Sequence, residues 1–268
     1  MEIPILRFST MATIVLFSDF GLSGPYVGQM TAAVYRNCPD ARVINLFADA
    51  PSFDPQASAY LLASYVAEFE PGTIFLCVVD PGVGSSRRAV VLEADGRLFV
   101  GPDNGLFSVI AKRAENVNTK EITWKPNWLS KTFHGRDLFA PIAAKIAKGE
   151  SFPVVDMDSA SLVGFDWPRE LQKVVYVDIY GNVITGLRAL TIQRDTVFSV
   201  AGKKIHWAER FSSVQKGHCF WYENSNGLVE LAVREGNASK LLGLEVGDEI
   251  ASISSGDEIG GLGRAHFG

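Results

Sequence analysis

Gly72-Thr73-Ile74-Phe75-Leu76-Cys77-Val78-Val79-Asp80-Pro81-Gly82-Val83-Gly84 is the stretch on which the fold turns. Its first eight residues are mostly apolar and rich in β-branched side chains, the composition of a strand buried on both faces. Asp80 ends the run, and Pro81-Gly82-Val83-Gly84 reads as a glycine-rich turn. Arg87-Arg88 follows, and Thr132-Phe133-His134-Gly135-Arg136-Asp137 adds an imidazole in a second turn-prone segment. A carboxylate, a guanidinium and an imidazole presented from loops orient and polarise a water molecule, which is chemistry rather than packing.

Working outward, residues 13–18 (TIVLFS) form another short apolar run ending at Asp19-Phe20-Gly21, and predict a buried strand feeding a loop. Spacing over 26–37 is helical until Pro39, residues 43–46 predict a strand, and 56–69 predict a helix ended by Pro71-Gly72. Residues 73–79, 89–92 and 97–100 predict three further strands, and 106–114 and 138–148 two further helices. Strands alternating with helices give an α/β domain, a layered sheet with helices, expected over residues 12–165. Ligands belong at the carboxyl ends of such strands, where Asp19 and Asp80 both fall.

After Glu150 the rhythm changes. Residues 151–170, with Pro153, Pro168 and scattered acids, predict a linker. Short runs then follow at 174–178, 183–185, 196–200, 203–207, 219–222, 228–233 and 249–252, separated by Gly, Asn and Asp. They predict a smaller all-β domain over residues 170–253, a barrel or a sandwich. Residues 1–11 are expected to be a short leader with Met11 an alternative start, and the glycine-rich tail from Ser254 to be mobile.

The 268 residues are 47% hydrophobic and 21% charged with a net charge of -5, which fits a globular chain and argues against disorder. That charge leaves no basic stripe for nucleic acid and no polybasic membrane anchor. Cys38, Cys77 and Cys219 are widely separated with no CxxC pair, so a reducing cytoplasm is expected and a zinc site is not. No secretory signal and no bilayer-spanning run is read.

The remaining motifs each carry two readings. Asp19 is either a helix N-cap or a strand-end carboxylate that accepts from a ribose diol, although no GxGxxG follows the strand. Gly101-Pro102-Asp103-Asn104-Gly105-Leu106 is turn chemistry, or a loop that offers the Asn104 amide to a ligand. Asp178-Ile179-Tyr180-Gly181-Asn182 is a hairpin, or an aromatic that stacks on a purine while the amide reads its edge. Asn224-Ser225-Asn226-Gly227 is a hairpin signal first and a polar binding loop second. His206, His218 and His266 lack ligand spacing and read as structural or exposed. The absence of HExxH, P-loop and GxSxG counts against zinc proteases, P-loop NTPases and α/β-hydrolases.

Taken in order, Ser18-Asp19-Phe20-Gly21, the 80–84 pentad with Arg87, the 101–106 turn, the 132–137 segment, the 178–182 loop and the 224–227 loop resemble one family. It is that of the S-adenosyl-L-methionine (SAM) hydroxide adenosyltransferases, or SAM hydrolases, relatives of the SAM-dependent fluorinase and chlorinase. The resemblance runs over roughly residues 12–253. It implies a C-terminal β-barrel, and a homotrimer whose active sites lie between one subunit's N-domain and a neighbour's C-domain. It implies Asp80, Arg87 and His134 as the water-activating set, with Arg88 the adjacent alternative for the arginine. It further implies Asp19 on the ribose, Tyr180 and Asn182 on the adenine, and Asp178 and Ser225 at the methionine end; Asn104 is carried with them as substrate-binding. In the halogenases a tyrosine stands at the Asp80 position, so Asp80 with His134 favours water over halide. SAM is then the substrate, with no cofactor and no metal. The rivals are a halide adenosyltransferase, a SAM- or adenosine-binding protein without turnover, and a metal-dependent nucleotide hydrolase.

Overall fold

A computed structural model describes residues 12–253, so the expected leader and the tail from Ser254 lie outside the described residues. The chain divides after Arg169 into two compact units.

In the first unit β1 (Thr13–Ser18), α1 (Tyr26–Asn37), β2 (Arg42–Phe47), α2 (Pro55–Tyr65) and β3 (Ile74–Val78) come first. They are followed by β4 (Ala89–Ala94), β5 (Arg97–Pro102), α3 (Ser108–Arg113), β6 (Val117–Ile122), α4 (Ala140–Ala147) and β7 (Val154–Met157). One seven-stranded sheet runs in the order β2-β1-β3-β5-β4-β6-β7. Its β2, β1, β3 and β5 are parallel, and β4, β6 and β7 join antiparallel.

β1 and β3 are buried almost throughout because helices cover both faces. Ile14, Leu16, Ile74 and Leu76 pack with Met30 and Val34 of α1 and Ile142 and Ala143 of α4. Alternation sends Phe17, Phe75 and Phe99 to the opposite face, where Phe17 meets Tyr65 of α2 and Phe75 stacks on Phe99. α2 starts where the sequence provides for it: the Asp54 side chain accepts from the Ala57 N–H at 2.9 Å, and Pro55 takes the first turn.

Three segments differ from expectation. Residues 151–170 are not a linker, since β7 pairs antiparallel with β6 at the sheet edge. Both strands escaped notice because their charges interrupt the apolar alternation; buried Lys120 of β6 bonds Asp156 of β7 at 2.9 Å. The helix expected over 56–69 is α-helical only to Tyr65 and tightens into a 3₁₀ turn over Val66–Glu68. The helix expected over 138–148 opens with a π turn, Gly135–Phe139, in which the Ala140 N–H bonds the Gly135 carbonyl. Pro141, in the first turn of α4, has no N–H to return to Asp137, and a widened turn accommodates that loss.

The second unit holds β8 (Leu171–Val177), β9 (Val183–Arg188), β10 (Val197–Val200), β11 (Lys203–Ile205), β12 (Cys219–Glu223), β13 (Leu228–Val233), α5 (Ala238–Leu242) and β14 (Ala251–Ile253). These form two antiparallel sheets, β12-β13-β9-β8 and β11-β10-β14, around one core that includes Val174, Phe198, Trp221 and Leu231. Neither sheet closes on itself among the described residues. Isolated bridges also pair Lys173 with Glu249 and Trp207 with Trp221. The short α5 was not foreseen, although Asn237 caps it and Gly243, at φ +64°, ends it.

Candidate active site

β1 lies between β2 and β3, so the chain leaves it to one side and returns on the other. The carboxyl ends of β1 and β3 flank that switch point, where open α/β sheets leave a crevice. Asp19 is one residue beyond β1 and Asp80 two beyond β3. Both line a cleft of about 360 Å³, together with His134, Phe20, Phe53 and Phe133.

The Asp80–Arg87 pair is a two-pronged fork: Arg87 Nε donates to Oδ1 at 2.8 Å and Nη2 donates to Oδ2. Only 4% of the Asp80 side chain and 10% of the Arg87 side chain are exposed. Planarity suits the guanidinium to this geometry, and it lies 5.2 Å from the centroid of the Phe139 ring. The same Nη2 is 3.0 Å from His134 Nδ1. A guanidinium donates and never accepts, so Nδ1 receives the bond and the neutral ring keeps its proton on Nε2. Burial and then the Arg87 charge push the His134 pKa below its ordinary value, against the opposing pull of Asp80 and Asp137. His134 is therefore a neutral donor through Nε2 at neutral pH.

Local sequence explains this convergence. Gly84, at φ +82°, lies so close to the Lys131 carbonyl that a Cβ there would sit 2.4 Å from it. That close approach packs the 80–88 loop against the segment leading into His134. Arg136 turns away and forks onto its neighbour Asp137 at 2.6 and 2.9 Å. Against the desolvation of its burial, those bonds and the Ser130 N–H hold the Asp137 carboxyl low.

Arg88 points elsewhere. Its Nε donates at 2.7 Å to buried Asp103, which also accepts from the Val163 N–H. Asn104 is not a lining residue of the cleft: its Nδ2 donates to the Val79 carbonyl at 2.7 Å, and so it pins the residue before Asp80. The Asp19 carboxyl is pushed up by burial, with the Asp80 charge adding to the effect. Its bond from the Phe53 N–H is long at 3.4 Å, which leaves acceptor capacity open.

Sequence reasoning missed the aromatic wall. Phe20, Tyr26 and Phe133 meet one another at 5.5–5.7 Å between ring centroids. Phe53 stands 79% exposed at the cleft with φ +60°, a conformation that bulky side chains seldom adopt. Nothing in Ser52-Phe53-Asp54 announces that backbone.

Asp178, Tyr180, Asn182 and Ser225 come together in a different cavity, of about 680 Å³, in the second unit. Asp178 spends its carboxylate on its own turn, accepting from Tyr180 N at 2.9 Å, Asn182 N at 2.8 Å and Asn182 Nδ2 at 3.0 Å. Gly181 is obligatory in that turn, with φ +84° and the Asn237 side chain 2.0 Å from where a Cβ would stand. Tyr180 is left 75% exposed while Asn182 is buried. Buried Glu230 accepts from the Tyr222 hydroxyl and from Asn224 Nδ2 at 3.0 Å, which steadies the turn carrying Ser225. The lone acid within Leu-Val-Glu-Leu-Ala-Val was the available signal for Glu230.

Residues 14–156 match the family model described as the SAM hydroxide adenosyltransferase N-terminal domain, and 172–251 match that of its C-terminal domain. The chain is 35% identical over 255 residues to an (R)-S-adenosyl-L-methionine hydrolase of Thermus thermophilus, covering 88% of this chain and 98% of that one. It is 34% identical over 249 residues to a protein of the same name from Salinispora arenicola, covering 87% and 94%. A fluorinase of Nocardia brasiliensis is 24% identical over 169 residues, covering 53% of this chain and 55% of that one. The crystal structure of an uncharacterized conserved protein from Thermotoga maritima superposes with a TM-score of 0.80 at 31% identity, covering 90% of this chain and all of that one.

Proposed function

This chain belongs to the SAM hydroxide adenosyltransferase family, and from that premise we propose Asp80, Arg87 and His134 as its water-activating residues. It is an enzyme, and it hydrolyses S-adenosyl-L-methionine to adenosine and L-methionine. The observation that carries the assignment of residues is the single guanidinium that binds both Asp80 and His134 at the wall of one cleft.

The sulfonium departs as a neutral thioether, so no general acid is needed on that side. One water is held with its oxygen accepting from His134 Nε2–H and one hydrogen directed at Asp80. Its second lone pair attacks the ribose 5′ carbon: the C–O bond forms, the C–S bond breaks with its electron pair going to sulfur, and the O–H proton passes to Asp80. Each Asp80 oxygen keeps a second lone pair beyond its bond to Arg87, so the fork does not disable the base. His134 is then a positioning donor rather than the proton acceptor. Alignment of a bound nucleophile supplies as much as about 7–11 kcal/mol in favourable cases. The aromatic wall suits a cationic sulfonium.

On the same reading Asp19 binds the ribose hydroxyls, Tyr180 stacks on adenine beside Asn182, and Asp178 and Ser225 face the methionine end. Asn104 acts indirectly, by fixing the end of β3. The two halves of the site are completed in a homotrimer, one chain's cleft with a neighbour's second-unit cavity. The β-barrel belongs to this reading too: the Lys173–Glu249 and Trp207–Trp221 bridges run between the edges of the two sheets. A cytoplasmic setting is supported by three free cysteines, two of them buried. The experiment is hydrolysis of SAM in ¹⁸O-labelled water with chloride present. Adenosine labelled at its 5′ oxygen is expected; 5′-chloro-5′-deoxyadenosine as the main product refutes the hydrolytic reading.

A further inference from the structure

A second cavity, of about 400 Å³, lies behind the cleft and shares one lining residue with it, His134. Arg87 lines this back cavity from a side chain nine-tenths buried. Of its five N–H donors, Nε and Nη2 spend three on Asp80 and His134. Nη1 carries the other two, and its contact with the Arg88 carbonyl is long, at 3.4 Å. A buried charged donor short of acceptors is costly, so the cavity carries a demand for an acceptor.

The other lining groups point the same way. Ser85, Ser86 and Ser130 offer hydroxyls. Lys125 and Lys131 are exposed and have no ion pair among the described residues. Arg87 and Arg88 also line the cavity but are already paired with Asp80 and Asp103, which leaves the two lysines against one acid, Glu121. Water would satisfy Nη1; only an anion also answers the lysines.

We propose that the back cavity binds a small tetrahedral oxyanion, phosphate or sulfate in chemistry, and that its occupancy turns the enzyme down. A dianion at Nη1 competes with Asp80 for the guanidinium and favours the protonated imidazole, which has no lone pair on Nδ1 for Arg87. Both changes loosen the grip of Asp80 and His134 on the attacking water while the anion itself stays outside the front cleft. The inhibitory effect rests on the hydrolase reading above, whereas binding does not, so the two fail separately.

The test titrates the purified protein with inorganic phosphate at an ionic strength held constant with sodium chloride. Calorimetry follows binding, and adenosine release follows turnover. One phosphate per chain is expected, with kcat reduced about fivefold or more at saturation, within the usual range of coupling between sites, and KM for SAM little changed. The Lys125→Gln/Lys131→Gln variant should keep its basal kcat and bind phosphate about tenfold more weakly, the equivalent of ~1.4 kcal/mol. Absence of saturable binding, or binding undiminished in that variant, overturns the site. Binding with unchanged kcat overturns the inhibitory role, and competition with SAM assigns the anion to the front cleft and overturns both.

Discussion

The two cavities spend their charged groups in opposite ways. In the first unit, Asp80, Arg87 and His134 are wired to one another across 7 and 47 residues of sequence. In the second, Asp178 and Asn224 are wired to backbone amides two and four residues away. On the proposed reading the first arrangement holds a small set of reactive atoms in one geometry, as chemistry requires. On the same reading the second fixes the shape of two turns and leaves the exposed Tyr180 ring for a ligand, as recognition requires. A mutation in the first region should therefore cost turnover, and one in the second should cost affinity.

The hardest strike on that division is Asp80→Ala. Loss of the base should lower kcat by about 100-fold or more while KM for SAM moves little. Steady-state kinetics with a folding check by circular dichroism reads both, and a KM effect of the same size would erase the distinction between the regions. His134 comes next and tests the tautomer. His134→Ala should cost about 100-fold in kcat, whereas His134→Gln, which keeps an N–H near the Nε2 position, should recover about tenfold of it. If His134 were the base, Gln would be as inactive as Ala. The pH profile adds a sign: because burial and Arg87 lower the His134 pKa, its neutral form persists to pH values below the ordinary 6.5. The wild-type acid limb attributable to His134 therefore lies below 6.5, and that component should vanish in His134→Gln.

The same contrast explains what the sequence disclosed. β1, α1 and β3 follow from apolar periodicity, and Asp19 and Asp80 stand out because acids interrupt such runs at strand ends. The Asp178 and Asn224 turns are legible because their hydrogen bonds are local. Convergence of residues 80, 87 and 134 is not legible from spacing, since nothing local links them; ordered motifs shared with a family stood in for geometry. Arg87 and Arg88 are adjacent in the chain, and only tertiary structure shows that one meets Asp80 and the other Asp103. β6 and β7 stayed hidden because Lys120 and Asp156 satisfy each other at a sheet edge where apolar residues were expected. The positive φ of Phe53 has no sequence signature at all.

On the recognition side Tyr180→Ala should raise KM by about tenfold and leave kcat within about twofold. The figure follows from the ~1–3 kcal/mol by which an aromatic ring stacks on a base. Since Tyr180 is largely exposed in the single chain, its removal should not lower the melting temperature. A fall in kcat that matched the rise in KM would mean that the ring helps to align the reacting carbon, and the two regions would no longer divide the labour.

The smallest catalytic effect is expected one residue from Arg87. Arg88 is bonded to Asp103, whose side chain is almost fully buried and also takes the Val163 N–H. Arg88→Ala leaves that carboxylate short of a partner, which should destabilise the fold by roughly 1–3 kcal/mol. Turnover per folded molecule should stay within about twofold, because no bond from Arg88 reaches Asp80 or His134 through its side chain. Melting temperature and active-site-normalised kcat, measured on the same preparation, separate the two consequences. A large loss of kcat at full folding would show that the neighbouring guanidinium acts on the water after all, and the assignment of that role to Arg87 alone would fail.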